Sequence, residues 1–93
     1  MIQFAYTILY VKDVEKSATF YEKAFGLQRK FISEDNQYAE LLTGTTTLSF
    51  ASLELAASNL PDGIIQSQTG GKPFGIEIGF ATTKVKEVYD VAI

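Results

Sequence analysis

The sequence predicts an α+β domain: a β-α-β-β-β unit followed by the opening strand and helix of a second such unit. Three observations carry this expectation. A run of β-branched and aromatic residues at 3–11 leads into a capped helical pattern at about 13–25. Three short strand-like segments then follow between turn signals, up to residue 53. A second strand-then-helix pattern occupies 74–93, after a stretch of different character at 54–73.

Residues 3–11, QFAYTILYV, suit a strand by composition. Both faces of that strand are largely apolar, so cover on both sides is expected. Asp13 offers an N-cap, and Glu15 sits in the first turn, where the helix dipole favours an anion. Val14, Ala18, Tyr21 and Phe25 recur at helical spacing with Ser17 and Ala24, and Gly26 stands where a left-handed C-cap belongs. Next come strand candidates at 27–33, 37–43 and 45–52, separated by the turn-prone Glu34-Asp35-Asn36 and by Gly44. In the last of them Leu48 and Phe50 alternate with Thr47, Ser49 and Ala51, the period-2 pattern of a strand with two different faces.

Residues 54–73 read as a linker. Asn59-Leu60-Pro61-Asp62-Gly63 is turn chemistry, and the polar stretch to Lys72 contains Gly70-Gly71. Phe74 to Thr82 is again a strand candidate. Thr83 is a candidate cap for a helix on which Val85, Val88, Tyr89 and Ala92 share a face. This second pattern aligns with the first in two registers. Without a gap, Phe4 meets Phe74 and Ile8 meets Ile78; with one residue inserted, Val11 meets Thr82 and Val14 meets Val85. The second register is preferred because it matches helix start to helix start. Two unrelated β-α units are the alternative. No cap or glycine marks an end to the helical pattern at Ile93, so further strands are expected beyond it.

Composition narrows the function. The chain has 93 residues, of which 46% are hydrophobic, 13% aromatic and 20% charged, an ordinary globular balance. The net charge is −3 and no basic cluster exceeds Arg29-Lys30, which argues against a nucleic-acid partner. The N-terminal apolar run is too short and interrupted for a signal peptide or membrane span. With no cysteine there is no disulfide frame, thiolate metal site or cysteine nucleophile, and a reducing, cytoplasmic setting is expected. Histidine is absent as well, which removes the commonest general base and the commonest metal ligand together.

The stretch Val11-Lys12-Asp13-Val14-Glu15-Lys16-Ser17, continuing through Phe20-Tyr21 to Phe25-Gly26-Leu27, resembles a family signature. It is similar to the V-x-D-x-x-x-S-x-x-F-Y run, closed by a G-L or G-F turn, of the vicinal-oxygen-chelate superfamily. That is the glyoxalase, bleomycin-resistance and extradiol-dioxygenase group. The resemblance covers nearly all of 1–53 and returns in outline over 74–93, where Thr83-Lys84 stands in place of the usual acidic residues. It implies two βαβββ modules forming a curved mixed sheet around a cavity, helices on one face, with two chains commonly combining to complete the sites. The domains implied are a first module at 1–53, a linker at 54–73 and an incomplete second module at 74–93.

The resemblance also locates the positions of the metal ligands. The first histidine position holds Tyr6, its second-module counterpart holds Glu77, and the first-module carboxylate position falls at Ser49. A phenol, a hydroxyl and one carboxylate do not make a Zn, Ni or Fe(II) site, so no metal and no other cofactor is expected. Each residue also has a plainer reading: Tyr6 as a packing aromatic, and Ser49 as a small filler that widens a cavity. Glu77 is a charge between Ile76 and Ile78 in a strand expected to be covered, which is costly unless paired or wet. Glu40 beside Tyr38 reads as an exposed strand position. The expected ligand-binding residues are therefore Tyr6, Tyr10, Ser49 and Glu77, with no catalytic residue assigned. The expected function is metal-free binding of a small apolar or cationic compound in a cavity formed on homodimerisation, as in bleomycin-resistance-type proteins. The alternative is a lyase or dioxygenase-type enzyme of the same superfamily, which rests on fold analogy alone.

Overall fold

A computed structural model describes residues 1–92; Ile93, counted above in the second unit, lies outside the described residues, as does the side chain of Ala92. In chain order the elements are β1 (Tyr6–Val11), α1 (Val14–Phe25), β2 (Gln28–Ile32), β3 (Tyr38–Thr43), β4 (Thr46–Ser52), α2 (Leu53–Asn59) and α3 (Val85–Ala92). The four strands form one open mixed sheet in the order β1-β4-β3-β2. The β2-β3 and β3-β4 pairs are antiparallel, and β1 and β4 are parallel. A parallel pair needs a crossover, here α1 together with the β2-β3 hairpin.

α1 forms where the sequence predicts it. The Asp13 side chain accepts a hydrogen bond from the Lys16 amide at 3.0 Å, and Gly26 closes the helix with a φ of 68°. That left-handed conformation costs glycine little and a side chain more. The hairpin turns are set in the same local way. Asp35 accepts from the Ser33 hydroxyl at 2.7 Å and the Gln37 amide at 3.1 Å, while Asn36 takes a φ of 58°.

The registers define two faces. On one face Leu48, Phe50, Leu41 and Ala39 line up across the central strands, flanked by Leu9 and Ile32. With Val14 and Ala18 of α1 these four make the core, and all six are at most 5% exposed. Tyr21 of α1 stacks on Phe50 at 5.2 Å between ring centroids. Arg29 reaches from β2 to the same helix, meeting Glu15 at 2.7 Å and Glu22 at 2.6 Å and touching Thr19 at 3.3 Å.

Several expectations are corrected. β1 is an edge strand whose residues from Thr7 to Val11 are half-buried on both faces rather than fully covered, and Tyr6 is 57% exposed. The linker opens with a helix, α2, capped by the Ser52 hydroxyl accepting from the Leu55 amide at 3.1 Å and anchored by the buried Ala56. Phe74–Thr82, expected as a strand, has no ladder partner among the described residues. Strand propensity leaves a segment extended but unpaired unless another backbone lies within hydrogen-bonding reach. Thr83 does not cap α3. The helix starts one residue later than that cap implies, the Lys84 amide donates to the Thr82 hydroxyl at 3.1 Å, and the Lys84 carbonyl accepts from Val88. α3 begins at Val85, the residue the repeat pairs with Val14 at the start of α1, and it packs against α1. Ahead of it, Phe80 stacks on Phe25 at 4.8 Å.

Phe50 is fully buried on β4, one of the two central strands. Replacing it by alanine should remove about 3–5 kcal/mol of stability, the range for a buried Phe truncated in a packed core. Urea unfolding measures this, and a loss below about 1 kcal/mol would show that the sheet-helix core is not centred on Phe50.

Candidate ligand-binding face

The other face of the sheet is open, and the registers arrange it in three rungs. Tyr6, Thr47, Leu42 and Gln28 form one, and Ile8, Ser49, Glu40 and Phe31 the next. Tyr10, Ala51 and Tyr38 form the third. Alternation along each strand and the β1-β4 register together bring three of the expected site residues, Tyr6, Tyr10 and Ser49, to one surface.

Its polar centre is a cluster around Tyr38. The phenol oxygen lies 2.6 Å from Glu40 Oε2 and 3.1 Å from Ser49 Oγ. A phenol has one proton, and the shorter contact, to a carboxylate, takes it. Ser49 then donates its own proton to the Tyr38 oxygen. Burial, and next the hydrogen bond to Glu40, hold the Tyr38 phenol above its ordinary value, and the Ser49 hydrogen bond pulls the other way. The negative charge of Glu40 and the neighbouring Tyr6 add to the upward shift. Ser49 is completely buried, although it lies on the open face, and among the described residues no buried side-chain polar atom lacks a hydrogen-bond partner. The other Glu40 oxygen, Oε1, lies 3.6 Å from Lys30 Nζ.

Glu40 and Tyr38 correct the sequence reading. Glu40 is not an exposed strand position, since its side chain keeps only 18% of its accessible surface. The signal was present in Ala39 and Leu41, whose apolar side chains mark the covered face and so send Tyr38 and Glu40 to the other. What the sequence could not give was the pairing that sets Glu40 directly opposite Ser49.

Glu77 is not brought to this cluster. It is exposed rather than covered, because its segment makes no ladder. It lines a cavity of about 570 Å³ with Thr7, Leu27, Thr43 and Phe80, which reaches Leu42 and Thr47 of the first rung but none of Tyr38, Glu40 and Ser49. Tyr10 shares the open face with Tyr6, yet it also borders a second hollow of about 640 Å³ with Lys12, Lys16, Leu53 and Gln68.

The donor chemistry of the open face does not suit a Zn, Ni or Fe(II) ion. Its side-chain oxygen groups are phenols, hydroxyls, the Gln28 amide and one carboxylate already engaged by Tyr38 and faced by an ammonium, without imidazole. Among the described residues no three His, Cys, Asp or Glu side chains are grouped to hold a metal. No helix of the described residues is long and apolar enough to cross a membrane.

The family model described as glyoxalase/bleomycin resistance protein/dioxygenase superfamily matches residues 3–92. The chain belongs to this superfamily. Solved structures similar to this glyoxalase/bleomycin-resistance chain include a gene product from Arabidopsis thaliana, 20% identical, with a TM-score of 0.67 over 99% of this chain and 70% of that one. Another is a glyoxalase/bleomycin resistance protein/dioxygenase family enzyme from Burkholderia phytofirmans PsJN, 19% identical, with a TM-score of 0.65 over 95% and 68%. A third is a possible glyoxalase from Bacillus cereus, 20% identical, with a TM-score of 0.60 over 97% and 67%. At these identities the likeness is one of fold. No curated protein sequence matches the chain.

The Tyr38 cluster has a measurable signature. Its pKa is higher folded than unfolded, so its stabilising contribution is complete below the ordinary phenol value of about 10 and is lost as pH rises through the folded value. Ultraviolet titration of the five tyrosines should show one ionising late, and Tyr38→Phe should remove that component. A late component that survives the substitution would assign the shift to another tyrosine.

Proposed function

We propose that this chain is a metal-free, bleomycin-resistance-like member of its superfamily that binds a small apolar or cationic compound on the open face of its sheet. The observation that carries this reading is a carboxylate, Glu40, fixed by the Tyr38 hydroxyl at 2.6 Å on a face that also exposes the rings of Tyr6 and Phe31. A mostly apolar surface with a few fixed polar groups is what small-molecule sites use. A carboxylate flanked by aromatic rings favours a cation through charge and through the ring faces. In this reading Glu40 takes the acidic role expected of Glu77, with Ser49 directly opposite it and Tyr6 and Tyr10 on the rungs to either side.

The proposed cavity is completed by a second copy of the chain, with the cytoplasm as its setting. The exposed apolar side chains support a covering partner. Tyr6, Phe31 and Leu42 stand on the open face, and Phe74, Ile76, Ile78, Val85, Tyr89 and Val91 follow along the C-terminal segment. Exposed apolar surface of this extent marks an interaction site in a soluble protein. The enzymatic alternative gains no residue from this arrangement and rests on superfamily membership.

Protonated 2-phenylethylamine is a suitable probe, with calorimetry as the readout. Glu40→Gln should weaken its binding about tenfold or more, the scale of a lost charge-assisted hydrogen bond, while light scattering still gives twice the monomer mass. Equal affinity in the two proteins would rule out Glu40 as the cation's partner. A monomer mass at working concentration would rule out the shared cavity.

A further inference from the structure

The β2 strand carries a register shift between Arg29 and Phe31, so Arg29 pairs with Leu41 and Phe31 with Glu40. Regular alternation would have set Lys30 alone opposite Glu40 and turned Phe31 toward α1. The extra residue lets Arg29 and Ile32 both serve the covered face, one in the ion pairs with α1 and the other against the core. In consequence two successive side chains, Lys30 and Phe31, oppose the single carboxylate of Glu40. The Phe31 ring lies 5.8 Å from that of Tyr38, and Lys30 Nζ lies 3.6 Å from Glu40 Oε1.

This arrangement rests on the cation-site reading above and adds to it. We propose that Lys30 is a tethered competitor for the cation subsite at Glu40: the chain's own ammonium stands at the carboxylate when no guest is bound, and a guest cation must displace it. Three features fit a displaceable occupant. The separation is well beyond the 2.7–2.9 Å or so of a charge-assisted hydrogen bond. The Lys30 side chain is 56% exposed, against 18% for Glu40, so the ammonium leaves for water at little cost while the carboxylate stays. A lysine is a strongly hydrated charge on a flexible stem, unlike the forked Arg29, which is pinned by two carboxylates on the covered side.

Competition of this kind makes the site selective. A simple hydrated cation brings nothing that Lys30 lacks. A cation attached to an apolar ring adds contact with the exposed Phe31 ring, which stands directly opposite Glu40, and so replaces the tether. Neutral aromatic compounds do not contend with Lys30 at all.

The test compares wild type, Lys30→Met, Lys30→Arg and Glu40→Gln by calorimetry with protonated 2-phenylethylamine, neutral 2-phenylethanol and phenylacetate. Lys30→Met should tighten the amine about two- to fivefold, the reach of an exposed ion pair. It should leave the alcohol unchanged, and Lys30→Arg should not tighten the amine. Binding of the amine that Glu40→Gln weakens and Lys30→Met leaves unchanged or weakens would overturn the competitor role while the cation site stands. Phenylacetate bound more tightly by wild type than by Lys30→Met would overturn it too, making Lys30 a handle for anions. No amine binding by wild type or Lys30→Met would overturn both the site and the competitor.

Discussion

The seating of Phe50 beneath α1 is the contact on which the remaining structure depends. It is fully buried in a strand with neighbours on both sides, and Tyr21 stacks upon it. Side chains along a strand alternate with a period of two, so fixing Phe50 inward fixes Ser49 and Ala51 outward. Through the cross-strand pairs the same choice sends Ala39 and Leu41 in, and Tyr38 and Glu40 out. One buried ring thus decides which polar groups meet on the open face.

The edge strand β2 shows how two demands are met at once. Arg29 is wanted on the covered side by Glu15 and Glu22, and Ile32 is wanted in the core. An unbroken strand cannot turn residues three apart to one face, because odd spacings land on opposite faces. A bulge resolves the conflict by adding one residue opposite Glu40. The ion pairs of Arg29 are partly solvated and contribute little as single pairs, about 0–1 kcal/mol each. Their larger effect is positional, because they hold the bulge that places Lys30 and Phe31.

Local signals were legible in the sequence. Asp13, Gly26, Asn36 and Gly44 set caps and turns through their own backbone preferences, and the family signature over Val11–Leu27 follows the same stretch. α2 is not legible in the sequence because its cap, Ser52, is also the last residue of strand β4. The segment 74–82 forms no ladder among the described residues for a different reason. Its composition suits a ladder, but pairing is a property of two segments and not of one. Thr83 failed as a cap because Thr82 and Lys84 together took over the turn before the helix.

The sequence by itself determined the order β1-α1-β2-β3-β4, the ends of α1, and the placing of Tyr6, Ser49 and Tyr10 on alternating strand positions. It also excluded imidazole and thiolate chemistry, since it contains neither residue. Only the tertiary structure decided that Glu40, and not Glu77, stands with Ser49, because that depends on which strand pairs with β4 and in what register. It likewise decided that Tyr38 shares hydrogen bonds with both, and that a bulge brings Phe31 beside Lys30 at the carboxylate. Caps and turns are written in adjacent residues, whereas a site spread over four strands is written in distances between residues far apart in the chain.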